Sequence, residues 1–232
     1  MRFFGAAARI GLAVCVLCVA SWAAPGRPTA HAPVVAIADG RLQGEWTSSG
    51  GAIFRGIPYA APPLGELRWR APQRPARWTT VRDAKSFAPP CLQASLGWNF
   101  SEAARSDEDC LYIDVRTPRL DPKAHLPVLV WIHGGGNWGG AANWVIDSAL
   151  ADRGIVVVTI QYRLGIFGFL SHPSLSREPP GGVSGNYALM DQIAGLTWVQ
   201  RNIGAFGGDP RSVTLAGHSA GAQDVRRRSS FL

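Results

Sequence analysis

One stretch of ten residues joins a β-branched run to a Gly-x-Ser-x-Gly pentapeptide: Ser212-Val213-Thr214-Leu215-Ala216-Gly217-His218-Ser219-Ala220-Gly221. The run over residues 212–216 has the composition of a buried strand. Directly after such a strand, the pentapeptide indicates a sharp strand-to-helix turn that lifts a serine hydroxyl above a sheet. An ordinary glycine-rich turn would match the same five residues, but the position after a buried strand favours the elbow. The segment therefore predicts a reactive hydroxyl at Ser219.

A second glycine-rich segment, His133-Gly134-Gly135-Gly136, follows the apolar run at residues 127–132. Backbone without side chains can turn its N–H groups toward a developing oxyanion. Taken alone, this segment also fits a turn made only for tight packing. Together with the pentapeptide, in the same strand-end context and in the order expected for acyl transfer, it favours a hydrolase.

The pattern of apolar residues along the rest of the chain favours an α/β doubly wound sheet. Residues 127–132, 155–162 and 212–216 are nearly unbroken apolar or β-branched runs, as strands buried on both faces require, whereas residues 111–115 alternate. Residues 34–82 are rich in Gly and Pro and predict short strands and turns at the leading edge of the sheet. Residues 186–203 predict a helix with one apolar stripe formed by Leu189, Ile193, Leu196, Val199 and Ile203. Strands that alternate with a helical crossover are typical of this architecture.

Five further segments stand in register with the two glycine-rich motifs: Phe54-Arg55-Gly56-Ile57-Pro58-Tyr59-Ala60, Glu108-Asp109-Cys110-Leu111-Tyr112, Tyr162-Arg163-Leu164-Gly165, Gly185-Asn186-Tyr187-Ala188 and Phe206-Gly207-Gly208-Asp209-Pro210. With them, the chain resembles the type-B carboxylesterase and cholinesterase family from about residue 34 to residue 224. The resemblance implies the α/β-hydrolase fold, with a mostly parallel central sheet and an antiparallel N-terminal edge. It also implies hydrolysis of a small-molecule carboxylic ester, with no metal or cofactor.

The resemblance assigns roles to individual residues. It makes Ser219 the nucleophile and places the N–H groups of Gly135, Gly136 and Ala220 in the oxyanion hole. It also implies a structural salt bridge between Arg68 and Glu108, and it matches Cys91 and Cys110 to the first disulfide of the family.

Two positions depart from the family pattern. His218 stands where the family usually has Glu, and Asn137 stands where it usually has an aromatic residue. Because consecutive side chains diverge at an elbow, we expect His218 to pack near the site and not to serve as the base. Trp98 lies near the position of a cation-facing tryptophan in cholinesterases, but its spacing from the cysteine differs, and packing within its loop is favoured.

Residues 1–23 predict a cleaved secretory signal peptide, since a basic start leads into a short apolar stretch and then small residues. An uncleaved anchor is the alternative, although the stretch is short for a membrane span. We therefore expect a secreted or periplasmic protein with no stable membrane insertion after cleavage. In an exported chain, the two cysteines left after cleavage, Cys91 and Cys110, are most simply a disulfide pair.

The formal net charge of +7 does not indicate a nucleic-acid partner. Two arginines lie in the predicted signal and three in the run at residues 226–228, and without these five no basic face remains for a polyanion.

The triad order in this fold is Ser, then Asp or Glu, then His, but no histidine follows Ser219 and Asp224 is the sole carboxylate after it. We expect residues 34–225 to be the N-terminal part of the domain, truncated after the elbow. A serine without its base is a weak nucleophile, so this form is expected to be inactive. Residues 226–232 are interpreted as an aberrant basic tail from a frameshift or premature stop, with a genuine exposed tail as the alternative.

Two other functional hypotheses stay open. A non-catalytic binding or adhesion module of the same family is one, although the retained Ser219 and glycine triplet argue against it. A nonfunctional product of a damaged gene is the other. The sequence leaves aliphatic, aryl and polymeric esters equally open as substrates.

Overall fold

The computed structural model describes residues 31–228. The strands of this part are β1 (Val34–Ile37), β2 (Gly40–Gln43), β3 (Glu45–Trp46), β4 (Ala52–Pro58), β5 (Val81–Asp83), β6 (Tyr112–Thr117), β7 (Leu126–Ile132), β8 (Val156–Ile160) and β9 (Gly208–Gly217). The α-helices are α1 (Phe100–Ala103), α2 (Asn143–Ile146), α3 (Gly165–Phe169), α4 (Pro173–Ser176), α5 (Tyr187–Asn202) and α6 (Ala220–Arg228). The predicted signal peptide and residues 229–232 of the predicted tail lie outside the described residues.

The main sheet has the strand order β3-β4-β6-β8-β7-β9. Strands β3, β4, β6 and β8 pair antiparallel, whereas β7 lies parallel to both β8 and β9. A smaller sheet has the order β1-β2-β5. The α/β-hydrolase fold and its antiparallel N-terminal edge are thus confirmed, and in residues 31–228 the antiparallel part reaches inward as far as β8. Strand β7 lies between β8 and β9 although it precedes both, which is the crossover expected of a doubly wound sheet.

The two faces of the main sheet are covered unequally. On one face, Val128, Val130 and Ile132 of β7 join the large apolar core beneath α5. On the other face a small cluster beneath α2 contains Ile146 and Val157. Strand β8 is buried on both faces, as predicted, but Leu129 and Trp131 of β7 are only half-buried.

The expectation of burial on both faces is therefore wrong for β7 and for β9 within the described residues. In β9, Ser212 and Thr214 are exposed while Val213 and Leu215 are half-buried. The reason is that the cluster beneath α2 covers β4 and β8 but does not extend over the neighbouring strands.

Helix α5 occupies nearly the predicted range, but it buries a different face. Ile193, a member of the predicted stripe, is 55% exposed, whereas Val199 and Ile203 are buried as expected. The buried face is centred on Gly195, where an added Cβ would lie only 2.8 Å from Cδ1 of Ile160. The closest approach of helix and sheet occurs at this small residue, so the aliphatic stripe alone predicted the wrong centre.

Two pairings expected from the resemblance are present. Arg68 donates two hydrogen bonds of 2.6 Å to the carboxylate of Glu108, which is the planar two-bond geometry of a strong ion pair. Cys91 and Cys110 form a disulfide with a Cα–Cα distance of 4.9 Å. The loop closed by this disulfide carries Trp98 and α1 to the surface beside the glycine-rich segment of residues 133–136.

A buried ion pair fixes the segment that follows β8. Arg163 donates to both carboxylate oxygens of Asp191 on α5, at 2.8 and 2.7 Å, and both side chains are almost fully buried. Arg163 also donates a hydrogen bond to the carbonyl of Arg70.

In residues 31–228 no helix is both long and apolar enough to cross a membrane.

Candidate active site

Ser219 lies at the tip of the turn between β9 and α6. Its φ of +53° is in the left-handed region, which a side chain other than glycine adopts only at a cost. The turn is held by hydrogen bonds from the N–H of His218 to the carbonyl of Ile132 and from the N–H of Gly221 to the carbonyl of His218. Ser219 is exposed. The geometry is that of the predicted elbow, with residues 217–221 presenting the hydroxyl at the edge of the sheet.

The two glycines of the elbow are required by contact. A Cβ on Gly217 would lie 2.5 Å from the backbone carbon of Gly221, and a Cβ on Gly221 would lie 2.3 Å from the carbonyl oxygen of Ile132. Both distances are shorter than any real Cβ contact, and both partners are backbone atoms that cannot rotate away. The turn can therefore be this tight only with glycine at both positions.

The glycine loop, residues 133–137, lies directly against the elbow. An added Cβ on Gly134 would lie 3.0 Å from Cβ of Ser219, so the two segments touch at this point. Gly135 has a φ of +113°, and its α-carbon faces the carbonyl of Gly139 so closely that no side chain fits. Gly136 has a φ of +65°, and a Cβ added there would meet only the ring of Trp138, at 3.5 Å.

Three backbone N–H groups around Ser219 have no acceptor among residues 31–228. They belong to Gly135, Gly136 and Ala220, the residues that the sequence predicts for the oxyanion hole. Ala220 is the first residue of α6, where N–H groups have no acceptor within the helix. Unpaired N–H groups of this kind can bind a negatively charged oxygen.

Comparison with known proteins agrees with this geometry. Residues 31–229 match the Carboxylesterase family. The chain belongs to the carboxylesterase family. It is 53% identical over 171 residues to a protein named fumonisin B1 esterase from Sphingopyxis macrogoltabida, an alignment that covers 73% of this chain and 32% of the relative. It is also 44% identical over 191 residues to para-nitrobenzyl esterase from Bacillus subtilis, covering 80% of this chain and 38% of the relative.

A solved structure gives the same result. The chain superposes on a carboxylesterase from Geobacillus stearothermophilus with a TM-score of 0.74 and 42% identity, over 83% of this chain and 39% of that one. This carboxylesterase-family chain thus spans about a third to two-fifths of the length of the relatives it matches. The activity of a whole protein of this family is accordingly a proposal for this chain.

A polar network behind the glycine loop joins four elements of the chain. The hydroxyl of Tyr162, just after β8, donates to the carbonyl of His133 at 2.7 Å and contacts Oδ1 of Asn137 at 3.2 Å. Nδ2 of Asn137 donates to Oδ1 of Asp224 at 3.4 Å, and Nε2 of Gln192 donates to Oδ2 of the same carboxylate at 2.9 Å. Asp224 is fully buried. The sequence indicated Asn137 and Asp224 singly and Tyr162 as part of a motif, but no sequence signal joined them to one another or to Gln192.

The phenol of Tyr162 remains a donor in this network. Burial, and then the nearby carboxylate of Asp224, raise its pKa well above the usual range of tyrosine. The ring of His133 stacks on that of Tyr162, with 4.3 Å between centroids. Burial lowers the pKa of His133 to about 4, so its imidazole is neutral near pH 7. One ring nitrogen of His133 contacts the carbonyl of Gly134 at 2.8 Å, and the other, Nε2, is buried with no partner among the described residues.

No histidine ring forms a hydrogen bond with Ser219 within residues 31–228. His218 lies over Gly134, where its Nδ1 would be 3.0 Å from an added Cβ, and it makes no bond to the serine hydroxyl. This position agrees with the packing role expected for it. The same part of the chain contains no group of three or more His, Cys, Asp or Glu side chains arranged to hold a metal ion.

A largely apolar cleft of about 360 Å³ flanks the glycine loop. Leu92, Leu96, Trp138, Ile166 and Phe167 contribute to its walls. The cleft is tied to the loop because the N–H of Gly165 donates to the carbonyl of Asn137 at 2.7 Å. Trp98 also borders the loop, since its ring would lie 3.1 Å from a Cβ on Gly135, and it is 56% exposed. Trp98 therefore lies against the glycine loop as well as within its own disulfide-closed loop.

Proposed function

We propose that this chain contributes the nucleophile and the oxyanion hole of a carboxylic ester hydrolase that works by serine acyl transfer. Ser219 is the nucleophile in this proposal, and the N–H groups of Gly135, Gly136 and Ala220 bind the oxyanion. The observation that carries the proposal is an exposed serine at a strained elbow, next to three backbone N–H groups that have no acceptor among residues 31–228. Membership in a family whose relatives are named esterases supports it.

The reaction balances as an ester plus water giving an acid and an alcohol. The Oγ atom of Ser219 attacks the carbonyl carbon, and its proton passes to a general base. The carbonyl oxygen becomes an oxyanion that the three N–H groups stabilise. The bond to the alcohol oxygen then breaks, and the alcohol leaves with the proton. Water attacks the acyl-serine in the same way and releases the acid.

The general base in this scheme is not one of the described imidazoles. His133 is buried, stacked on Tyr162 and only weakly basic, because burial lowers its pKa to about 4, and His218 lies over Gly134. The unpaired donors therefore support a role of the described residues in attack and oxyanion binding, with proton transfer left to another group. A base added in solution can take that role in an experiment.

We propose that the cleft beside the glycine loop receives an apolar part of the ester. Its walls are aliphatic and aromatic, and its volume of about 360 Å³ suits a small acyl or alcohol group. Fumonisin B1 esterase is the name of one relative, which makes the ester of that name a sensible first compound to test. Simple aryl esters are the second choice, following the name of para-nitrobenzyl esterase.

We also propose that the protein is exported. The disulfide between Cys91 and Cys110 supports an oxidising compartment, since such bonds are rare in reducing cytosol. The predicted cleavage after residue 23 would be read directly from the N-terminal sequence of the protein purified from its source.

Covalent labelling tests the nucleophile. The chain would be incubated with a fluorophosphonate, with imidazole as the added base, and digested for mass spectrometry. The proposal predicts phosphonylation of the peptide containing Ser219 at a rate well above that of Ser49, an exposed serine in the turn after β3. Ser219→Ala serves as the control and should abolish that label alone. Equal labelling of Ser49 and Ser219 would instead favour a non-catalytic binding module.

A further inference from the structure

The two halves of the proposed oxyanion hole are on different segments. Gly135 and Gly136 belong to the glycine loop after β7, whereas Ser219 lies in the turn after β9 and Ala220 begins α6. An oxyanion hole works only when its donors lie about 2.7–3.1 Å from the position of the charged oxygen. A shift of about 1 Å costs on the order of 100-fold in rate. The loop and the helix must therefore be held in fixed register.

Asn137 is placed to hold that register. It directly follows Gly136, and its amide reaches Asp224 in the second turn of α6, 87 residues farther along the chain. Its other amide atom, Oδ1, lies 3.2 Å from the hydroxyl oxygen of Tyr162, whose proton is shared with the carbonyl of His133. One side chain thus links the loop to the helix on one side and to the end of β8 on the other.

The backbone at this position suits asparagine. The φ of Asn137 is +63°, in the left-handed region that asparagine adopts more readily than other residues except glycine. A β-branched residue would be strained here, and any residue without a side-chain donor would leave Asp224 without one of its donors. The buried carboxylate of Asp224 accepts hydrogen bonds from the amides of Asn137 and Gln192, so loss of either leaves a buried carboxylate oxygen poorly satisfied.

We propose that Asn137 is a positioning residue whose amide ties the glycine loop to Asp224. The tie sets the spacing between the loop N–H groups and the hydroxyl of Ser219. The proposal rests on the proposed function for its effect on reactivity, but the tie itself is a property of the folded chain.

The first variant removes the hydrogen bond to Asp224 and preserves the backbone conformation at position 137. Asn137→Gly removes both amide atoms while allowing the same φ. We expect the limiting rate of fluorophosphonate labelling at Ser219, with imidazole added, to fall about 10-fold or more, because misplaced donors lose oxyanion stabilisation. The concentration of reagent at half-saturation should change little. An unchanged limiting rate would overturn the proposal.

Exchanging the two side chains between positions 137 and 224 should restore the hydrogen bond and the labelling rate. Asn137→Asp places two carboxylates face to face and should label slowly, whereas N137D combined with Asp224→Asn restores one donor and one acceptor. In the double variant, Asn at 224 can still accept from Gln192 and donate to Asp at 137, which accepts from Tyr162. We expect its labelling rate to return to within about threefold of the original chain. If the double variant recovers the melting temperature but not the labelling rate, the pair is structural only and the proposal fails.

Hydrogen exchange separates this proposal from the proposed function. Amides in the peptide spanning residues 133–140 should exchange faster in Asn137→Gly than in the original chain, and the double variant should restore slow exchange. This readout does not need a reactive serine. If the original chain is not labelled at Ser219, the proposed function fails. Hydrogen exchange then tests by itself whether Asn137 holds the glycine loop to Asp224. Equal exchange in the original chain and in N137G would overturn it.

Discussion

Gly134 and Ser219 pack so closely that a methyl group cannot stand between them. A Cβ on Gly134 would lie 3.0 Å from Cβ of Ser219 and 2.6 Å from the carbonyl oxygen of His218. The glycine loop and the elbow therefore meet through backbone, and the absence of a side chain at position 134 lets the proposed oxyanion donors approach the serine.

The first prediction concerns this contact. Gly134→Ala should push the loop away from the elbow, reduce the rate of fluorophosphonate labelling at Ser219 by on the order of 100-fold, and lower the free energy of unfolding by about 1–3 kcal/mol. Gly204→Ala is the matched control, since an added Cβ at Gly204 meets no atom within 4 Å. Labelling kinetics and chemical denaturation check both variants. Equal labelling of G134A and G204A would contradict the close packing.

The second prediction follows from the buried imidazole of His133. Its pKa is about 4 in the folded chain because burial disfavours the cation, against about 6.5 when unfolded. A lowered pKa means that the neutral form stabilises the fold above pH 6.5 and that this contribution is lost as the pH falls through 4. His133→Phe removes the titration. The unfolding free energy of the original chain should therefore fall relative to that of H133F between pH 7 and pH 4, by at most about 3 kcal/mol. Parallel pH profiles would contradict the burial.

The third prediction concerns Asp114, which should change the unfolding free energy with pH in the opposite direction to His133. Its carboxylate is buried and accepts bonds from the N–H of Gly56 at 2.9 Å and the hydroxyl of Thr159 at 3.1 Å. Burial raises its pKa to about 6, although Arg55 nearby opposes the rise. A raised pKa means that its contribution to stability is full below pH 4 and is lost as the pH rises through 6.

Replacing Asp114 tests that slope. Asp114→Asn should gain stability relative to the original chain as the pH rises from 4 to 7, by at most about 3 kcal/mol. Thermal melts across that range measure the difference. Because His133 and Asp114 act in opposite directions between pH 4 and 6, the original chain should show a flatter profile there than either variant.

The disulfide provides a fourth prediction. Its sulfurs are buried, and it closes a loop whose ends are 19 residues apart in sequence. Replacing both Cys91 and Cys110 with alanine should cost about 3 kcal/mol, mainly by freeing the unfolded chain. For a chain of this size, this loss lowers the melting temperature by about 6–12 °C. Reducing the original chain with dithiothreitol should give a similar shift, and a melting temperature unaffected by either change would show that the bridge adds no stability.

Local features of the site were predictable from the sequence, and long-range contacts were not. The elbow around Ser219 and the free N–H groups of Gly135 and Gly136 depend on a strand, a turn and a few glycines that are adjacent in the chain. By contrast, Asn137 and Asp224 are 87 residues apart, and no spacing rule connects them. Only the parallel pairing of β7 with β9 brings their segments together.

Burial was predicted less well than element type for a related reason. Ile193 fits an aliphatic stripe, but α5 approaches the sheet at Gly195, because the smallest residue allows the closest contact with Ile160. Apolar periodicity counts side chains and does not measure how near a helix can approach. In β7, Trp131 looks like a core residue in the sequence, but the cluster beneath α2 does not reach it.

The most direct test of acyl transfer is to trap the acyl-serine itself. The chain would be mixed with p-nitrophenyl acetate and imidazole, quenched in acid within the turnover time, and analysed by peptide mass spectrometry. Our proposal predicts one acetyl group, carried by the peptide containing Ser219 and missing in Ser219→Ala. Acetylation that is spread over lysines and other serines, and that is unchanged in S219A, would contradict the assignment of Ser219 as the nucleophile.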